Sequence, residues 1–236
     1  MKTWFREGVD LAAAAWRRRP SGRFWLFLAL AVAAAACAAH PFEPVLEARC
    51  PGASGRAGVW ARGFSFWGDF LPGTMALVLL CFLAGAAGPR WRQWRRIGWA
   101  LFLAAAVAGV PATLLRVSLG RPRPCATAEG VRDGLCGFRS SDRYHSFPSG
   151  HAATSFATAG ALGAAVPPLM PIALAGAAGV CWSRAYLQRH HLSDLIVGGA
   201  WGLAVGFHFG RTARGFREER RQARISAVSS SSRSVL

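Results

Sequence analysis

Acidic side chains are scarce in this sequence: 11 Asp and Glu stand against 28 Lys and Arg in 236 residues, a formal charge of +17. Such a basic excess suits a nucleic-acid binder, but the arginines cluster at the ends of apolar runs, as the flanks of membrane spans do. No nucleic-acid partner is therefore expected. An even amphipathic pattern is also missing. The apolar residues, 53% of the chain, arrive in blocks, which argues against an ordinary soluble domain. No internal repeat is present, and spans of about 20 residues each leave no room for a second folded domain.

What is there is a set of six apolar runs, about Phe24–Phe42, Leu71–Gly88, Ile97–Val117, Pro148–Val166, Pro171–Leu187 and Asp194–Gly210. They predict an all-α integral membrane protein, a bundle of six transmembrane helices over residues 24–210. The last three runs are short and rich in Ala, Gly, Ser and Thr, the composition that lets helix backbones approach in lipid. The first also resembles a signal peptide, with a basic stretch before it and small residues near Cys37, but it is read as an uncleaved span. Six spans put both termini on one side. That side then holds 17 of the 28 Lys and Arg, so the basic segment 1–23 and the basic, partly disordered tail 211–236 are expected in the cytoplasm. The tail reads as an anchor on an anionic leaflet. Cys37, Cys81 and Cys181 fall within spans as packing residues. Cys50, Cys125 and Cys136 fall in external loops, where Cys125 with Cys136 is the nearest pair for a disulfide and free thiols are the alternative.

Polar and ionisable residues crowd at three span ends. Arg116 and Arg123 stand at the exit of the third run, Ser149, Gly150 and His151 open the fourth, and Arg184, His190 and Asp194 lie between the fifth and sixth. The topology puts all three clusters on one side, so a single site can draw on them. Arg guanidinium groups grip phosphate oxygens and stay charged at any working pH. A Ser-Gly at a helix start adds backbone N–H groups and the positive end of the helix dipole. His190 and Asp194 are four apart, so one helical turn lets the carboxylate fix the imidazole tautomer, leaving the other nitrogen free to attack phosphorus. His151 is placed to protonate a leaving oxygen. Singly, each cluster has a plainer reading: Arg116, Arg121 and Arg123 as interfacial anchors, Ser149 and Asp194 as caps, His190 and His191 as interfacial histidines. Those readings predict neither the spacing nor the shared side.

The pattern Arg-x6-Arg-Pro at 116–124, Pro-Ser-Gly-His at 148–151 and Ser-Arg-x5-His-x3-Asp at 183–194 resembles the three-part signature of the type 2 phosphatidic acid phosphatase family, whose superfamily includes vanadium haloperoxidases and bacterial acid phosphatases. It covers about a third of the chain. One position departs, since the family usually begins with Lys where this chain has Arg116, a bulkier fork. The resemblance implies phosphate binding by Arg116, Arg123, Ser149, Gly150 and Arg184, with His190 as nucleophile through a phosphohistidine, Asp194 as its partner and His151 as general acid. It implies no cofactor and no metal, a lipid phosphate or diphosphate substrate, and a site on the periplasmic or external face of a bacterial inner membrane. The candidate lipids are isoprenoid diphosphates, phosphatidylglycerol phosphate, phosphatidic acid and lipid A. His191 rivals His190 on composition, and the spacing to Arg184 and Asp194 favours His190. His145 reads as a loop histidine, and His208 and Trp67 receive no role. The loop from Pro41 to Phe70 and the segment from Cys125 to Pro148 are expected to shape the site's mouth. A lipid phosphotransferase and a non-enzymatic lipid-phosphate transporter are the alternatives, and the oligomeric state is open.

Overall fold

A computed structural model describes residues 2–50 and 54–233. Among these residues ten α-helices follow in order: α1 (Lys2–Arg17), α2 (Gly22–Ala39), α3 (Glu43–Ala48), α4 (Gly55–Trp67), α5 (Met75–Ala86), α6 (Gln93–Leu119), α7 (Pro124–Ala128), α8 (Gly150–Ala165), α9 (Met170–Tyr186) and α10 (Leu192–Arg233). Each of the six apolar runs of the sequence forms a helix. The centre of the bundle is α8, whose Ala-rich and Gly-rich sequence is buried along most of its length.

Glycine explains how α8 and α10 come together. On α10, Gly198, Gly202, Gly206 and Gly210 recur every fourth residue, one stripe of a helix. A Cβ on them would come within 2.4, 2.1, 2.1 and 2.3 Å of the carbonyl oxygens of Ser149, Ala153, Ala157 and Ala161. Only a side chain of hydrogen permits so close a backbone approach, the small-residue packing that replaces the hydrophobic drive between helices in lipid. The register matters for the site, because it locks Ser149 at the start of α8 against the first turns of α10. On another side of α8 lies α6, which buries Ala100, Ala104, Ala108 and Ala112. Helix α6 ends at Gly120, whose φ of 59° and closeness to the Gly137 carbonyl both demand glycine.

The outer helices α2 and α5 leave Leu26, Phe27, Leu30, Leu77, Leu79, Leu80 and Leu83 exposed, apolar surface that bilayer hydrocarbon covers. Three helical stretches, Gly22–Ala48, Pro89–Ala128 and Leu192–Phe216, are long and apolar enough to cross a membrane alone. The pair Gly55–Trp67 and Phe70–Ala86, bent by 65°, makes a fourth if counted as one span. The count of six spans read from the sequence is therefore not reached by length. Helices α8 and α9 have 16 and 17 residues, about 24 to 26 Å against a hydrocarbon core of about 30 Å.

Four helices lie outside the six runs: the short α3 and α7, and the longer α1 and α4. The basic segment at the start forms α1, whose Leu11, Ala14 and Ala15 are buried and whose Glu7 takes a two-pronged hydrogen bond from Arg95 of α6, at 3.0 and 2.8 Å. Helix α4 stands in the stretch read as a loop and packs against α9. At the other end α10 continues to Arg233, through serines where the composition suggests no regular structure. The six cysteines are free thiols. Backbone pairing of Cys136 and Gly137 with Gly120 and Leu119 leaves the Cys136 thiol turned to the Gly134 carbonyl, not to Cys125.

Candidate active site

The end of α6, the start of α8, the end of α9 and the turn into α10 meet at one end of the bundle. Ser149 caps α8, its hydroxyl accepting the Ala152 N–H at 3.4 Å. A Cβ at Gly150 would lie 3.5 Å from Nη1 of Arg116, so the guanidinium stands directly against the helix start, where N–H groups and dipole already favour an anion. Arg123 and Arg184 are buried. Arg123 donates to Asp142 at 2.6 Å, and Arg184 donates to the Ser65 hydroxyl of α4, also at 2.6 Å. Among the described residues, the Nε atoms of Arg116, Arg123 and Arg184 are buried without a hydrogen-bond partner, and so is Nε2 of His190. Buried polar atoms are ordinarily satisfied, so four such atoms in one region, three donors and one ring nitrogen, mark a place made for a polar ligand.

His190 is fully buried, and its Nδ1 lies 2.7 Å from the Ser146 carbonyl oxygen. A carbonyl only accepts, so Nδ1 carries the proton and the neutral ring leaves the Nε2 lone pair unused. Burial, together with the positive charges of Arg184 and Arg123, holds this imidazole well below its ordinary pKa. The charges of Arg184 and Arg123 act on both His190 and His151, so the two histidines and the arginines share one electrostatic enclosure.

The His190–Asp194 pairing expected from the four-residue spacing is not a direct hydrogen bond, since Asp194 Oδ2 is 3.9 Å from Nδ1. Its carboxylate is instead held by others: Oδ1 accepts from Arg121 at 2.7 Å, and Oδ2 accepts the Ser146 hydroxyl at 2.5 Å and the His191 backbone N–H at 2.9 Å. The physical reason is that the last turn before α10 points Nδ1 at the Ser146 carbonyl, while the carboxylate folds back to cap its own helix.

Arg121, read from the sequence as an interfacial anchor, is buried at 6% exposure. It grips Asp133 with two bonds at 3.0 and 2.8 Å, and reaches Asp194, Ser193 and Glu43 as well. Burial pushes the Asp133 carboxyl up, but the Arg121 hydrogen bonds and charge hold it below its ordinary value. His40, Glu43 and Asp133 offer ligand atoms within 4.8 Å of one another. Arg121 already bridges both of those carboxylates, so the cation in this cluster is a guanidinium. His191 has both ring nitrogens engaged, Nδ1 with Glu47 at 2.6 Å and Nε2 with the Pro122 carbonyl at 3.0 Å. Burial alone would lower its pKa, and the Glu47 carboxylate overcomes this and raises it. His145 bonds to the Arg139 carbonyl at 2.7 Å.

The structure thus brings together Arg116, Arg123, Ser149, Gly150, His151, Arg184, His190 and Asp194. The sequence reading missed Ser146, Ser65 and the Arg121, Glu43, Glu47 and Asp133 network. Asp69, at the break between α4 and α5, also acts electrostatically on Arg116, Arg184 and His151. Beside Arg121 and Ser193, an apolar cavity of about 1180 Å³ opens between α2, α6 and α10, lined by Trp25, Val32, Leu115, Phe147 and Trp201 among others.

The PAP2 superfamily profile matches residues 96–217, which includes every one of those eight positions. A probable diacylglycerol pyrophosphate phosphatase 1 of Schizosaccharomyces pombe is 33% identical over 134 residues, 43% of this chain and 47% of that protein; the chain thus spans about half the length of that relative. A decaprenylphosphoryl-5-phosphoribose phosphatase of Mycobacterium tuberculosis is 34% identical over 146 residues, 62% of this chain and 75% of that protein. Among solved structures, a transmembrane PAP2-type phosphatidylglycerolphosphate phosphatase from Bacillus subtilis aligns with a TM-score of 0.46 and 21% identity, covering 93% of this chain and 98% of the other.

Proposed function

Because this chain belongs to the PAP2 superfamily, we propose that it is a membrane phosphatase that removes the terminal phosphate of a lipid phosphate or diphosphate. The observation that carries the reading is the set of four buried atoms without partners among the described residues, Nε of Arg116, Arg123 and Arg184 and Nε2 of His190. Three fixed cations and one imidazole lone pair suit a phosphoryl group and its in-line attack. A binding protein would need the cations but not the nucleophile.

In this mechanism the three arginines and the N-terminus of α8 hold the phosphoryl oxygens, and Nε2 of His190 attacks phosphorus. The bond to the lipid oxygen breaks as His151 supplies its proton, leaving a phosphohistidine. Water, deprotonated by His151, then attacks that intermediate and releases inorganic phosphate. Preorganised positive charge stabilises the trigonal-bipyramidal transition state, so activity independent of divalent metal and inhibited by vanadate is expected. The apolar cavity beside Arg121 suits a lipid chain.

For topology we adopt six crossings, with α8 and α9 completing the bundle inside the longer helices. Both termini then face the cytoplasm and the site faces the exterior of a bacterial inner membrane. Reporter fusions should read as cytoplasmic at Arg90 and Leu236 and as external at Gly130. The reading as a whole is tested by phosphate release from purified protein given farnesyl diphosphate, phosphatidylglycerol phosphate, phosphatidic acid and lipid A, with a chelator present. Release from at least one supports it, and release from none, or only after magnesium is restored, overturns it.

A further inference from the structure

Arg189 fills the last unspecified position of the third motif, just before His190, and the turn there carries it to the mouth of the phosphate site. That turn is fixed rather than loose. Gln188 adopts a positive φ of 56°, its side-chain amide donates to the carbonyls of Glu47 and Cys50 at 2.8 and 3.1 Å, and the Arg189 N–H donates to the Arg184 carbonyl at 3.0 Å. The guanidinium is about half exposed, and its charge acts on both Arg123 and Arg184.

Asp142 lies between the two cations. One of its oxygens accepts from Arg123 at 2.6 Å, and the other is 3.5 Å from Nη1 of Arg189. It sits on a single turn of 3₁₀ helix, Asp142–Tyr144, and is 69% exposed, so it can turn out to water when a stronger anion arrives. The cations near the pocket, Arg116, Arg123, Arg184 and Arg189, outnumber the carboxylates Asp69 and Asp142. A monophosphate on the three inner arginines leaves Arg189 with only half of a shared carboxylate.

We propose that Arg189 is a specificity residue that receives the second phosphate group of a lipid diphosphate whose terminal phosphate occupies the Arg116, Arg123 and Arg184 pocket. Arg123 and Arg189 stand across one carboxylate group. Two phosphates joined through a single oxygen can meet both guanidinium groups at once, as the two oxygens of Asp142 do, whereas two phosphates separated by a glycerol lie further apart. An Arg fork is also the side chain suited to such oxygens. The inference rests on the phosphatase reading above and narrows its substrate.

The test compares wild type, Arg189→Gln and Arg189→Lys on farnesyl diphosphate and farnesyl phosphate, and on phosphatidylglycerol phosphate and phosphatidic acid. Arg189→Gln should lower kcat/KM for farnesyl diphosphate about tenfold and leave farnesyl phosphate within about twofold, with Arg189→Lys in between. The ratio of phosphatidylglycerol phosphate to phosphatidic acid should not change. Equal losses on both farnesyl substrates, no loss on either, or a selective loss confined to phosphatidylglycerol phosphate would overturn the assignment while leaving the phosphatase reading intact. If wild type releases phosphate from other lipids of the panel, lipid A included, but not from farnesyl diphosphate, the assignment fails alone; if it releases phosphate from none of them, the phosphatase reading fails and the assignment fails with it.

Discussion

Asp194 reaches the His190 imidazole through Ser146: the Ser146 hydroxyl donates to the carboxylate at 2.5 Å, and the Ser146 carbonyl accepts from His190 Nδ1 at 2.7 Å, while carboxylate and imidazole stay 3.9 Å apart. One residue therefore ties the charge of Asp194 to the tautomer of His190. The tautomer itself depends on a backbone carbonyl, which no side-chain substitution removes.

Asp194→Asn should for that reason be a variant of stability as much as of chemistry. The neutral amide weakens the bond to Arg121 and disturbs those to Ser146 and His191, so thermal unfolding in detergent should move to a lower temperature. Folded enzyme should lose activity, but less than His190→Ala, because Nδ1 keeps its acceptor. Activity lost as completely as in His190→Ala, with unchanged unfolding, would point to a direct carboxylate–imidazole pair.

Arg121 and Arg123 should part company under substitution. Arg121→Ala leaves Asp194, Asp133 and Glu43 without their shared cation, and breaking such a buried pair costs about 3–5 kcal/mol. Arg123→Ala removes a guanidinium whose carboxylate partner Asp142 is exposed and whose Nε has no partner. It should fold with little change in unfolding temperature and lose most activity. The paired measurement is unfolding temperature against kcat/KM for both variants.

The two adjacent histidines give stability opposite pH dependences. His191 has a raised pKa, so its protonated pairing with Glu47 contributes fully below the unfolded value of about 6.5 and is lost as pH rises through the raised value. His190 has a lowered pKa, so its contribution is present above about 6.5 and declines as pH falls. Unfolding temperatures from pH 5.5 to 8.5 should fall on the alkaline side in wild type, and Glu47→Gln should flatten that limb. An unchanged alkaline limb in Glu47→Gln would contradict the pairing.

His151→Ala should depend on the leaving group. A lipid alkoxide leaves poorly without a proton, so the variant should lose on the order of 100-fold or more in kcat. A nitrophenyl phosphate, if accepted, needs little protonation and should retain much more. Equal losses on both substrates would remove His151 from the role of acid.

The helices of the bundle were legible because each apolar run is long enough to register, and the eight motif positions because their spacing at span ends forces one shared face. What was not legible depends on tertiary approach. Helix α4, with Arg56 and Arg62 in its sequence, lacks a continuous apolar run and becomes visible only through α9 and through Ser65 on Arg184. Glu43, Glu47 and Asp133 lie in segments without periodicity, and only the folded chain brings them to Arg121 and His191. Spacing placed Asp194 one turn from His190 but could not show that Ser146, from the loop before α8, stands between them.

The most direct measurement of the mechanism is trapping of the phosphoryl-enzyme. Purified protein is mixed with lipid substrate labelled in its terminal phosphate, quenched in alkali, where phosphohistidine survives, and mapped by mass spectrometry. The label is expected on Nε2 of His190, absent from His190→Ala, and accumulated when water is limited. Label on His151, on His191 or on no histidine, with His190→Ala still turning over, would contradict it.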